Sequence, residues 1–347
     1  EPKSDHFRLQ KRILNILLIP RQTLLQMQHA KIAIIILNYN GGQLLYDCVK
    51  SFLGLTYSSY QILVVDNASA DNSAALVEQI DPKVTLLRAT KNLGYTGGNN
   101  LGMQYALDAG FDYVLLVNND TIVINPGFLE QMLTYAAQYA DAGMLGPKVY
   151  FRAIGTVQNT LCAMPFFRKT LQSWLHQRLR PPQIKSGDKV VQAEVLNGVC
   201  ILIRSSFLKT VGLFDDAIFM YREDTDLALR GKNKGWSSYY VPVESIVHLQ
   251  KSTGYEYTSM VNFLLKRNAV YVLYKNGYYL DAAGQMIGGL TLSFFRAVKS
   301  LFTKKRSQYW RFTWLLFRAY LSILFNKVES KNFGPPNTQW HQFRIQA

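Results

Sequence analysis

KIAIIILNYNGG, Lys31–Gly42, is the stretch on which the fold turns. Seven positions rich in β-branched residues (31–37) stop abruptly at Asn-Tyr-Asn-Gly-Gly. Branched side chains fit a pleated strand, and Asn and Gly supply the turn that ends it. The same grammar recurs in QILVVD (61–66), VTLLRA (84–89) and YVLLVNND (113–120). Between these runs, Gln43–Leu53, Asn72–Ile80 and Asn99–Asp108 carry helical periodicity. Strand and helix in regular alternation predict an α/β domain with a mostly parallel sheet flanked by helices. Ligands of such sheets bind beyond the carboxyl ends of the strands. Asn38–Asn40, Asp66–Ser69 and Asn118–Asp120 all fall at such ends, which makes them candidates for one site.

Outward from this core the chain changes character. Of its 347 residues 48% are hydrophobic and 18% charged, the composition of a folded protein. The net charge of +15 is uneven: residues 1–31 carry +4, residues 282–347 carry +9, and the middle only +2. Basic ends imply an anionic partner, either nucleic acid or an acidic membrane surface. Nucleic-acid binding would need basic residues on the central domain as well, so a membrane surface is the expected partner and nucleic acid is not. Three scattered cysteines (Cys48, Cys162, Cys200) suggest neither a disulfide framework nor a zinc site. The charge-free run Ala282–Phe295 is too short to span a bilayer, and no small-residue cleavage site follows ILNILLIP.

Three regions follow: a basic N-terminal helical segment (1–30), an α/β domain (31–250) and a helical C-terminal region (251–347). Residues 166–190, with RPPQIKSGDK, form an excursion from the domain. Near the C-terminus Lys304, Arg311 and Arg318 recur every seven residues among Trp310, Trp314, Phe317 and Leu321. That pattern fits a basic amphipathic helix lying in a membrane interface, or a helix packed on the protein's own core.

Several residues invite chemistry. Asp66 ends the second strand, where a carboxylate can accept from a pyrimidine imide N–H or simply cap the helix near Asp71. KNLGYTGGNNLG (91–102) has glycines that permit close approach of backbone to a ligand, or a turn capping the helix from Asn99. Asp120, with Asn118 beside it, can bind a divalent metal or form an Asx turn. In YREDTDLALR (221–230), Glu223, Asp226 and Arg230 share a helical face, and Asp226 and Arg230 form an i,i+4 pair. Asp224 lies about 100° round, toward Leu227 and Ala228, and should point inward, where a carboxylate needs a partner or a task. His248 ends a further strand-like run and is a structural histidine or a metal ligand.

NYNGGQLLYDCVKSF, VVDNASADNS, NLGYTGGNNLG, LLVNND, LNGVCILIRSSFLKTVGLFDD, FMYREDTDLALRGKNKGW and VHLQKSTG follow the order seen in glycosyltransferase family 2. Over residues 31–275 the chain resembles that family, and most of all its rhamnosyltransferase-like members in bacterial surface polysaccharide synthesis. LLKRNAVYVLYKNG (264–277) resembles the RN-containing helix of that branch.

The resemblance implies the GT-A fold, a Rossmann-like nucleotide-binding α/β domain. It implies a metal-dependent (Mg²⁺ or Mn²⁺) inverting glycosyltransferase with a dTDP- or UDP-sugar donor and a lipid-linked or polysaccharide acceptor. The expected place is the cytoplasmic face of the bacterial inner membrane, bound peripherally. Carried over by position, Asp224 is the base, with Glu223 the substitute. Asp120 and His248 hold the metal. Asn38, Tyr39, Asn40, Asp66, Asn67, Asn92, Gly94, Gly97, Gly98, Asn99, Asn118 and Asn119 line the donor site. Asn118 departs from the family's acidic motif, which has Asp there. A sugar nucleotidyltransferase, or a non-catalytic GT-A scaffold at the membrane, are the alternatives.

Overall fold

A computed structural model describes residues 29–78, 80–158, 161–162, 189–250, 259–303 and 306–325. Residues 1–28, most of the 166–190 excursion, Lys304 and the chain beyond Phe325 lie outside the described residues.

The alternation read from sequence is present: β1 (Ile32–Asn38), α1 (Gln43–Phe52), β2 (Tyr60–Asp66), α2 (Ser73–Val77), β3 (Val84–Arg88), α3 (Gly94–Asp108) and β4 (Tyr113–Asn118). These four strands lie parallel, in the order β3-β2-β1-β4. Both faces of β1 are covered. Ile32, Ile34 and Ile36 join one core cluster, and Ala33 and Ile35 join another. That double burial explains an apolar run without alternation.

Beyond β4 the sheet becomes mixed. β5 (Thr121–Val123), α4 (Phe128–Gln138), β6 (Ala142–Phe151), β7 (Leu161–Cys162), β8 (Val191–Ala193), β9 (Val195–Leu196) and β10 (Cys200–Arg204) follow in the chain. After α5 (Ser205–Val211) and α6 (Glu223–Lys232), β11 (Ser237–His248) returns parallel to β6. β10 enters antiparallel between β4 and β6, so parallel pairing dominates only one half of the sheet.

β6 falls where the sequence pattern breaks up, at Gly143, Gly146 and Pro147. A Cβ at Gly143 would sit 2.2 Å from the Phe207 ring, and one at Gly146 would meet Leu196 at 2.8 Å. These glycines admit neighbouring side chains against the backbone. The pairing with β11 slips between Tyr240 and Glu244, opposite Pro147, as expected where proline cannot donate to the ladder.

Three C-terminal helices, α7 (Ser259–Lys275), α8 (Tyr279–Lys299) and α9 (Arg306–Leu324), pack on one another. Their core contains Phe263, Leu264, Leu316, Tyr320 and Ile323, and it takes in Phe219 from the α/β domain. α9 therefore combines the two readings of its pattern. One stripe (Leu316, Ala319, Tyr320, Ile323) is buried, while Trp310, Trp314, Phe317 and Leu321 stay exposed. Among the described residues no helix is long and apolar enough to cross a membrane.

Candidate active site

Asn38 organises the strand ends. It is fully buried, and its Nδ2 lies 3.1 Å from Asp66 Oδ1, 3.1 Å from Ser69 Oγ and 2.7 Å from Ser73 Oγ. Its Oδ1 accepts from Asn119 Nδ2 at 3.1 Å. The parallel register sets Asn38 opposite Asp66 on β2 and Leu37 opposite Asn118 on β4. Three loops are thereby tied to one side chain. A second amide, Asn67, holds the start of α3: it accepts from Leu93 N at 2.8 Å and donates to Asn92 Oδ1 and Gly94 O, each at 3.0 Å.

A cavity of about 540 Å³ opens at these strand ends. Of the residues named from sequence, Tyr39, Asn67, Asn92, Gly94, Asn118, Asn119, Asp120, Glu223 and Asp224 line it. Asn38, Asn40 and Asp66 stand behind that lining as its hydrogen-bonded support. Gly97, Gly98 and Asn99 take a different place. The helix expected from Asn99 starts at Gly94, so these residues lie within α3. A Cβ at Gly98 would come 2.3 Å from Leu37, and Asn99 donates back to Tyr95 O at 2.8 Å. Gly98 thus serves close packing of helix on sheet, while a Cβ at Gly97 would meet Leu93 at 2.8 Å. Tyr95, Asn197, Gly198, Phe219, Arg222 and Leu265 also line the cavity and were not singled out from sequence. Tyr95 could have been suspected, since its hydroxyl crosses to Gly198 O at 2.9 Å from within a quoted motif.

The acids of α6 differ from the expectation. Asp226, read as a helix-start residue paired with Arg230, is fully buried. The pair with Arg230 forms at 2.7 Å, and Lys275 and Asn276 add contacts at 3.1 Å each. Glu223 is buried as well, and half-buried Asp224 borders the cavity beside it. Asp224, expected to be the acid that points inward, is the least buried of the three. Burial, and then the neighbouring Asp224 charge, push Glu223 up to about 8. Burial also raises Asp224, but the Arg222 guanidinium and two Thr225 hydrogen bonds favour its charged form. Its Oδ1 accepts from Thr225 N at 2.6 Å and Thr225 Oγ1 at 3.1 Å.

Asp120 and His248 come together through pairing of β5 with β11, with Asp120 Oδ1 3.2 Å from His248 Nε2. His248 Nδ1 lies 2.9 Å from Gln158 Oε1. With the ring proton on Nδ1, the Nε2 lone pair faces a carboxylate oxygen, an arrangement that a shared cation stabilises. No group of three His, Cys, Asp or Glu stands ready for a metal among the described residues. The pair fits a cation that completes its shell with phosphate oxygens and water, as Mg²⁺ does. Cys48, by contrast, is an inert core thiol that burial pushes up to about 12.

A mixed sheet with an acidic, asparagine-rich cavity at its strand ends fits an α/β domain that binds its ligand at the carboxyl ends of the strands. The chain belongs to "Glycosyltransferase like family 2", whose model matches residues 29–269. A relative in Mycobacterium tuberculosis, "N-acetylglucosaminyl-diphospho-decaprenol L-rhamnosyltransferase", is 31% identical over 62% of this chain and 75% of its own. "Low-salt glycan biosynthesis hexosyltransferase Agl10" of Haloferax volcanii is 22% identical over 79% of this chain and 86% of its own. Two solved structures share the fold. GalNAc-T7, solved with UDP, GalNAc and Mn²⁺, has TM-score 0.54 and 16% identity, covering 71% of this chain and 48% of that one. S. aureus TarS (1–349) has TM-score 0.52 and 14% identity, covering 86% and 82%.

Glu223 makes stability depend on pH. Its pKa rises from an ordinary 4.5 to about 8, so the folded state keeps a proton that the unfolded chain releases. Stability is therefore lost as pH climbs through that window. Glu223→Gln removes the loss: its melting temperature should gain on the wild type progressively between those two values and hold a constant lead above. A lead that does not change with pH would mean that Glu223 is not held neutral.

Proposed function

We propose that this glycosyltransferase moves a hexosyl group, with inversion, from a nucleoside diphosphate sugar to a hydroxyl of a lipid-linked glycan. One observation carries the reading: the first turn of α6 presents Glu223 and Asp224 to the same cavity as Asn92, Asn118, Asn119 and Asp120. L-Rhamnose is the first donor sugar to test, given the mycobacterial relative.

The roles follow from environment. An acceptor hydroxyl attacks the anomeric carbon, the bond from that carbon to the diphosphate oxygen breaks, and the hydroxyl proton passes to a carboxylate. Such a base must be ionised. Burial and the Asp224 charge raise Glu223, whereas Arg222 and Thr225 favour the ionised form of Asp224, so Asp224 is the base and Glu223 the hydrogen-bond donor. Thr225 occupies Asp224 Oδ1, so Oδ2 takes the proton. Asp120 and His248 would hold a Mg²⁺ or Mn²⁺, which when bound neutralises charge on the departing nucleoside diphosphate.

The acceptor's lipid places the enzyme at a membrane. α8 and α9 leave Phe294, Phe295, Trp310, Trp314 and Phe317 around an open apolar cleft of about 600 Å³. Exposed Arg296, Lys299, Arg311 and Arg318 stand on the same helices. Aromatic and basic side chains together suit the interface of an anionic bilayer. This region is the membrane-docking surface of a peripheral enzyme.

Asp224→Asn should lower transfer by about 10²–10⁴-fold while donor affinity stays near wild type. Chelation with EDTA should stop transfer, and Mn²⁺ or Mg²⁺ should restore it. Full activity in Asp224→Asn would move the base elsewhere. For the membrane surface, a Trp310→Ser/Trp314→Ser double variant should lose co-sedimentation with phosphatidylglycerol vesicles yet still bind donor. Undiminished sedimentation would remove α9 from the docking surface.

A further inference from the structure

The cavity has an electrostatic problem. Its ionisable lining comprises three carboxylates, Asp120, Glu223 and Asp224, and the ligand proposed for it is itself an anion. Even with Glu223 neutral and Asp120 matched by a cation, Asp224 faces the incoming diphosphate. Arg222 is the one Lys or Arg among the described residues that line the cavity.

Arg222 is held there by an unusual backbone. It occupies the position before α6 with φ +75° and ψ 4°, and Tyr221 before it has φ +67°. Two successive side-chain-bearing residues at positive φ cost of order 1–3 kcal/mol each and persist only where neighbours fix them. Asn268 of α7 does so. It is fully buried, and its Nδ2 donates to Met220 O at 2.9 Å and Tyr221 O at 2.8 Å. Arg267 Nη1 donates to Asn268 Oδ1 at 2.6 Å and so fixes that amide's orientation.

The strained turn has a consequence for Arg222 itself. A fully exposed arginine would keep its guanidinium hydrated. Arg222 is instead half-buried at the cavity, and its Nε is buried without a hydrogen-bond partner among the described residues. A buried N–H left unbonded is costly, and a ligand that accepts from it recovers that cost. A guanidinium presents a planar fork of donors that matches phosphate oxygens.

We propose that Arg222 binds the diphosphate of the donor nucleotide, held in position by the Asn268-fixed turn. It supplies positive charge in a chain whose strand-end motif, Asn118-Asn119-Asp120, has a single carboxylate. The proposal rests on the reading of the cavity as a donor site.

Calorimetric titration of the full chain with UDP, dTDP, uridine and thymidine, in Mn²⁺, tests it. Arg222→Gln should weaken the nucleoside diphosphate by about tenfold to a hundredfold and leave the matching nucleoside unchanged. Arg222→Lys, which keeps the charge without the fork, should recover part of the loss. Nucleoside diphosphate binding at wild-type strength in Arg222→Gln would overturn the proposal. An equal loss for nucleoside and nucleoside diphosphate would overturn it too, because Arg222 would then only shape the turn. Should the wild type bind neither diphosphate, the donor-site reading itself fails.

Discussion

The site depends on one buried amide. Asn38 ends β1 with no exposure to solvent, and its side chain meets Asp66, Ser69 and Ser73 on one side and Asn119 on the other. A buried amide needs its partners, since leaving one unmet costs about 1–3 kcal/mol. That requirement locks the loops after β1, β2 and β4 into one geometry. Asn118, Asn119 and Asp120 can then share a cavity with Asn92 and Gly94, which Asn67 fixes in a similar way.

The opposite wall is held from outside the sheet. α7 contacts α6 at two places: Asn268 fixes the turn before Glu223, and Lys275 and Asn276 meet buried Asp226 one turn into the helix. Lys275 also reaches Asp215, where its proximity and further hydrogen bonds hold that carboxyl below its ordinary range. α7 is also the helix on which α8 and α9 pack. The segment that orients Glu223 and Asp224 is thus continuous with the apolar face that suits a membrane.

How much of this was legible in the sequence depended on whether the cause was local. β1, β2 and β4 announced themselves because their apolar runs stop at Asn or Asp, and the same stops marked Asn118–Asp120 and Asp66. β6 did not, because Gly143 and Gly146 answer to Phe207 and Leu196, which are remote in the chain. Gly98 and Gly102 of α3 looked like part of a turn for the same reason: their partners, Leu37 and Ile35, lie on another element. The burial of Asp226 was not legible, because Lys275 and Asn276, which allow it, come about fifty residues later. Nothing in residue preference foretells Tyr221 and Arg222 at positive φ, since neither favours it. Helix geometry and the family resemblance singled out Asp224, yet Glu223 and Asp226 are the more buried, because α7 covers this helix start from far along the chain.

The central claim is that the cavity between the strand ends and α6 receives a nucleoside diphosphate with its metal. The most direct test is a crystal structure of the enzyme soaked with UDP or dTDP and Mn²⁺. The account predicts Mn²⁺ bound by Asp120 and His248, with diphosphate oxygens completing its shell. A nucleotide seated elsewhere, or a metal away from Asp120, would contradict it.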